Sequence, residues 1–139
     1  MARTTFNGPV VSQNGFIDGH QVTTANAVNA TATATAAQVA AGYITSTSAA
    51  PTTITLPTGT ALGSLIGATQ GTTLDLFIDN TAGASVVTIA ANTNAVLSSA
   101  GVDSAGSFGD LDIAAGATGI GRYTIMFSSP TAYVFTRTA

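Results

Sequence analysis

Few side chains in this chain could do covalent chemistry. There is one histidine, His20, between Gly19 and Gln21, and there is no cysteine, lysine or glutamate. A Ser-His-Asp triad needs the histidine beside an activated nucleophile and an orienting acid. Serines are plentiful, but no Gly-x-Ser-x-Gly elbow occurs, so His20 reads as an ordinary loop histidine. Asp110 and Asp112 fall on one side of a short strand, with Asp103 before them. Three carboxylates could hold calcium weakly through hard oxygens. The spacing fits no EF-hand, and a solvated strand edge accounts for the same pattern. Asp75 and Asp79 also share a face, with Phe77 between them. A glycosidase pair would need a sugar-lined cleft, and the chain has no Trp. These two aspartates are expected to pair with Arg122 or Arg137, or to stay hydrated. Gly106-Ser107-Phe108-Gly109-Asp110 lacks the glycine spacing and the lysine of a phosphate loop. The inventory therefore predicts no enzyme, no cofactor and no dedicated metal centre.

The elements that position these residues are strands. Leu74, Leu76 and Ile78 alternate with Asp75, Phe77 and Asp79, and Val87 and Ile89 alternate with Val86 and Thr88. Period-two spacing marks strands with one buried face. The short Asn80–Ala84 break between the two runs predicts a β-hairpin over 73–91. A second hairpin is predicted from Ile120–Ser128 and Ala132–Thr138 about Ser129-Pro130-Thr131, with Tyr123, Ile125 and Phe127 on one face. Tyr133, Phe135 and Arg137 share a face of its return strand.

Upstream, Val22–Thr35 carries an Ala/Thr tract that suits a strand. Repeated on neighbouring strands, such a threonine ladder would suit ice binding, but the sequence shows no such repeat. Thr35-Ala36-Ala37-Gln38 fits a capping box, with Gly42 as the helix stop. Short strands follow at Tyr43–Ser48 and Thr52–Leu56. Leu62, Leu65 and Ile66 predict one face of a short helix, weakened by its internal glycines. Ala95–Ser98 is a further strand, and Ser99–Gly109 is a surface loop.

At 139 residues the chain suits one domain that buries roughly two-thirds of its extended surface. The expected fold class is all-β: a β-sandwich or jelly roll with one or two short helices and an extended N-terminal arm. The arm spans 1–21 and the β-sandwich domain 22–139. Phe6, Val10, Val11, Phe16 and Ile17 make the arm too apolar for an idle tail. It folds back on its own core or lies on a partner.

Charged residues are only 6% of the chain, against roughly a quarter in ordinary soluble domains. A surface of Thr, Ser, Ala, Asn and Gly carries little repulsion, which favours an assembled protein. A net charge of -3, with a pI near 4.4, argues against nucleic acid. No apolar run is long enough for a signal peptide or a membrane span.

Several landmarks point to a family. They are Arg3-Thr4-Thr5-Phe6-Asn7-Gly8-Pro9-Val10 with Asn14-Gly15-Phe16, then Thr35–Gln38 with Gly42-Tyr43-Ile44, and Thr53-Ile54-Thr55-Leu56-Pro57-Thr58. Phe77–Gly83 and the ending Tyr133-Val134-Phe135-Thr136-Arg137 complete the set. The chain resembles small tailed-phage structural proteins of the head decoration, or cement, type. The resemblance implies a jelly-roll sandwich, a homotrimer, a place on the capsid exterior and the major capsid protein as partner. It carries no catalytic residues. On that reading Phe6, Val10, Val11 and Phe16 contact the capsid. Tyr123, Phe127, Tyr133 and Phe135 serve core or trimer packing. The other reading is a receptor- or glycan-binding module of a phage tail or surface fibre. The strand positions of Tyr43, Tyr123 and Tyr133 count modestly against it.

Overall fold

Two threonines start the two helices. The first helix, α1 (Ala36–Ala40), has five residues, too few to persist alone. The Thr35 hydroxyl accepts from the Gln38 N–H at 3.1 Å, and the Gln38 side chain accepts from the Thr35 N–H at 2.8 Å. Gly42, at φ 75°, then turns the chain out of the helix. The second helix, α2 (Gly59–Ile66), is capped by Thr58 and closed by left-handed Gly67.

The computed structural model describes residues 26–97 and 111–138. The N-terminal arm and the 99–109 loop lie outside them. Among the described residues nine strands run around the helices: β1 (Ala32–Thr33), β2 (Tyr43–Thr45), β3 (Thr52–Thr55), β4 (Thr73–Asp79), β5 (Val87–Ala90), β6 (Ala95–Leu97), β7 (Asp112–Ile113), β8 (Ile120–Ser129) and β9 (Ala132–Arg137). They form a four-stranded sheet in the order β1-β3-β5-β7 and a five-stranded sheet in the order β2-β4-β8-β9-β6. The fold is β-rich, as the alternation predicts. The sheets are mixed: β1/β3, β2/β4, β3/β5 and β6/β9 are parallel, and β4/β8, β5/β7 and β8/β9 are antiparallel.

The chain changes sheet at every step from β1 to β8. Only β8 and β9 are consecutive in sequence and neighbours in a sheet, and they form the hairpin predicted for the C-terminal end. The hairpin expected over 73–91 does not form. β4 lies in the five-stranded sheet and β5 in the four-stranded one. Both edges of β4 are already occupied, by β2 and by β8. The chain leaves β4 at Asn80, whose side chain is fully buried. Its amide donates to the carbonyls of Ser85 (2.8 Å), Ile113 (3.1 Å) and Ala114 (3.0 Å). Its backbone N–H donates to Gly119 O at 2.6 Å. A turn residue in the sequence is thus a corner post between the sheets.

The strand expected over Val22–Thr35 shrinks, among the described residues, to exposed β1 and to Ala27, which bridges Thr45 at the edge of the five-stranded sheet.

One core joins the sheets. Ile54, Val87, Ile89 and Ile113 come from the smaller sheet, and Ile44, Leu76, Ile78, Ile125 and four aromatics from the larger. The rings of Phe127 and Tyr133 lie 5.4 Å apart, and those of Tyr123 and Phe135 6.4 Å apart. Such tilted pairs add about 0.5–1.5 kcal/mol each beyond burial. Tyr133 donates its buried hydroxyl to Pro57 O at 2.7 Å. Burial pushes its pKa upward and keeps it a neutral donor.

Helix α2 departs from its predicted face. Leu62 is buried, but Leu65 is 53% exposed. Gly59 and Gly63, one turn apart, are buried instead. A Cβ at Gly63 would fall 2.0 Å from Pro130 O, and one at Gly59 2.3 Å from Thr131 O. The glycines cost helix propensity but let the helix sit directly on the β8–β9 turn. Gly63→Ala should therefore lower stability by about 1–3 kcal/mol, the usual range for overpacking, although alanine favours a free helix by about 1 kcal/mol. Ser64→Ala, at an exposed position, should change it little. Urea denaturation of both variants checks this.

Candidate functional site: the outer face of the five-stranded sheet

Alternation divides the residues of the larger sheet. In β8, Gly121, Tyr123, Ile125 and Phe127 are buried, while Ile120, Arg122 and Met126 are exposed and Thr124 is half-buried. In β4, Leu76 and Ile78 are buried, and Asp75, Phe77 and Asp79 lie between them on the outer side. Strand register lines these outward residues up in rows. Thr45, Asp79 and Ile120 form one row. Tyr43, Phe77 and Arg122 form the next. Asp75, Thr124 and Thr136 follow. Thr73, Met126, Val134 and Val96 form the last.

The first three rows hold the polar chemistry. Of the five charged side chains among the described residues, Asp75, Asp79 and Arg122 lie here, so the sparse charge is concentrated on this face. Arg122 pairs with Asp75 at 2.5 Å, with side chains 46% and 30% exposed. At that exposure the pair is worth about 0–1 kcal/mol. Thr124 donates to the other Asp75 oxygen at 2.8 Å. The guanidinium also lies 5.6 Å from the Phe77 ring centroid, in cation–π range. Tyr43 donates to Asp79 at 2.5 Å. Thr81 donates to Asp79 through its hydroxyl at 2.6 Å and its N–H at 2.9 Å.

Those donors hold the Asp79 carboxyl below its ordinary 3.8, the Thr81 hydroxyl contributing most and Tyr43 next, against a smaller opposing effect of burial. The same hydrogen bond raises the Tyr43 pKa, with desolvation and the Asp79 charge adding to it. Exposed apolar side chains stand in the first and last rows: Ile120 is 51% exposed at one end, and Met126 and Val96 are 45% and 56% exposed at the other.

The residues singled out in the sequence fall in three places. Tyr123, Phe127, Tyr133 and Phe135 are 0–1% exposed and belong to the core. Their outward neighbours Arg122, Met126 and Val134 form the hairpin's surface. Phe6, Val10, Val11, Phe16, His20, Asp103 and Asp110 lie outside the described residues. Asp112 is exposed, accepts from the Thr88 hydroxyl at 2.5 Å, and offers its backbone carbonyl to Arg137 at 2.9 Å. Among the described residues no three His, Cys, Asp or Glu side chains gather into a metal-binding group. No helix among them is long and apolar enough to cross a membrane.

The threonine pattern does recur on neighbouring strands, contrary to the sequence reading. Thr33 lies beside Thr55 and Thr53 beside Thr88, in register on the smaller sheet. The rank is short. Ala90 follows Thr55, the Thr88 hydroxyl is committed to Asp112, and Thr31 uses its oxygen to accept from the Thr53 N–H. The outer face of the larger sheet is the more developed surface. Its signal in the sequence was the set of alternate positions left over once the core was assigned.

The Asp79 contacts give a pH dependence. A carboxyl whose folded pKa is lowered stabilises the fold above its unfolded value, and this contribution fades as pH falls through the folded value. Melting temperature should therefore drop on acidification below about pH 4. Asp79→Asn should flatten this acid limb while lowering the melting temperature at neutral pH. Melts across pH 2–7 check both. Comparison of the chain with protein-family models, with curated proteins and with solved structures finds no match.

Proposed function

We propose that this protein is a phage head decoration, or cement, protein. It binds the outer capsid surface and stabilises the shell by bridging capsid subunits without covalent chemistry, catalysis or a cofactor. The observation that carries the reading is the outer face of the five-stranded sheet. Arg122 and Phe77 stand at its centre, and Ile120, Met126 and Val96 are exposed around them. Aromatic and arginine anchors within an apolar surround are the composition of a protein-binding surface. The sparse charge of the chain and the resemblance of its sequence landmarks to those of cement proteins support the same reading.

In this account the two-sheet body fills the part of a jelly-roll sandwich, with parallel pairings in place of an all-antiparallel winding. The arm residues Phe6, Val10, Val11 and Phe16 contact the major capsid protein, and the folded domain associates with copies of itself. Modest contacts repeated over a symmetric shell add up through avidity.

A second reading, a glycan- or receptor-binding module of a tail or surface fibre, is favoured by one observation. Tyr43 and Phe77 stand side by side on the outer face, ringed by Asp75, Asp79 and Arg122.

Co-sedimentation with capsids stripped of the protein tests the first reading. The full chain should pellet saturably, and a version starting at Val22 should lose most of that binding. Binding by both would move the contact from the arm to the folded domain. Binding by neither, together with glycan-array signal lost in Tyr43→Ala, would replace the decoration reading with the second.

A further inference from the structure

Between Ile120 and Met126, strand β8 carries a pattern of outward residues that reads nearly the same from either end, with exposed Ser128 beyond it. Ile120, Arg122, Thr124 and Met126 run apolar, polar, polar, apolar, and both ends are about half exposed. Such a surface can dock on itself, since a two-fold interface brings one patch against the same patch of another subunit. We propose that a second copy of this chain packs face to face on the outer surface of the five-stranded sheet. The two-fold axis would cross the strands level with Tyr123, so that the two β8 strands run antiparallel over one another. This proposal does not depend on the capsid reading, and it departs from the homotrimer that the resemblance implies.

Register decides what meets what. Rotation about that axis keeps each strand over its own copy and reverses its direction. Ile120 then lies against the partner's Met126, and Met126 against the partner's Ile120. Arg122 lies against the partner's Thr124, whose row neighbour is the partner's Asp75. The partner's Asp75 already accepts from the partner's Thr124 in each subunit. Each carboxylate therefore sits between two guanidinium groups, and each guanidinium between two carboxylates. The four charges alternate in sign and sum to zero. Asp79 meets the partner's Thr73, so no two like charges are opposed.

The face is small: β2, β4, β8, β9 and β6 contribute 3, 7, 10, 6 and 3 residues, roughly 450 Å² before side-chain relief is counted, against about 800 Å² per partner in a standard interface, so the dimer is one of modest affinity. Desolvating Ile120 and Met126 supplies the drive, and the charge arrangement fixes the register.

Sedimentation equilibrium of the free full-length protein tests this. The wild type should be a dimer of 13.6 kDa protomers at about 100 μM, and Ile120→Asp should weaken association at least about tenfold. Arg122→Asp and Asp75→Arg should each be monomeric alone, because each places like charges across the axis. An equimolar mixture of the two should recover the dimer, because each copy then meets its opposite. Circular dichroism melts verify that the variants are folded; if the charge variants are not, Ile120→Thr with Met126→Thr is the deciding pair and should be monomeric. A monomeric wild type, a trimer, or variants that dimerise as well as the wild type would overturn the proposal.

Discussion

Strand β4 has no vacant edge. β2 lies along one side in parallel and β8 along the other in antiparallel. The rest of the architecture follows from that occupancy. The segment after Asp79 leaves that sheet and starts β5 against β3 in the other. Its first residue, Asn80, is buried, while Ala82 and Ala84 are exposed, and the buried corner leaves polar backbone groups to be satisfied. Asn80 meets that need by reaching the carbonyls of Ser85, Ile113 and Ala114 with one amide. Its side-chain oxygen, Oδ1, has no hydrogen-bond partner among the described residues, and Gly83 packs close to it, where a Cβ would fall 2.0 Å away. One residue therefore ties together β4, the approach to β5 and the end of β7.

The same winding sorts the C-terminal hairpin into two roles. Its inward residues, Tyr123, Phe127, Tyr133 and Phe135, are buried in the core, with Phe127 beside Gly63 of α2 and Tyr133 bonded to Pro57 O. Its outward residues meet solvent beside Phe77 and Val96. Because side chains alternate strictly, a large core aromatic at one position places its neighbour on the surface. The surface that this leaves carries threonines, aliphatic side chains and three of the five charged side chains among the described residues. Such a surface favours contact with other chains, and its few charges act more on register than on strength.

Local features were the legible part of the sequence. The Thr35–Gln38 box, the Gly42 stop and the turn about Pro130 each involve residues a few positions apart, and each is formed. Choices between distant segments were not legible. The runs at 74–78 and 86–89 alternate as a hairpin would, and nothing local tells a hairpin from a crossing between sheets. The helix face was misread for a related reason. Gly59 and Gly63 looked like weak points because the backbone they approach lies some 70 residues away, at 130–132. The Asp75–Arg122 pair, 47 residues apart, was one of several pairings that charge alone allowed. The outer face follows from the register of β2, β4, β8, β9 and β6, which only the tertiary structure supplies.

Cross-strand nuclear Overhauser contacts test the winding most directly. The account predicts backbone contacts between Thr53 and Thr88, between Ile54 and Ile89, and between Asp79 and Ile120. Contacts that instead join Asp79 to Val87 and Ile78 to Thr88 would restore the 73–91 hairpin. They would free an edge of β4 and remove the outer face on which the functional reading rests.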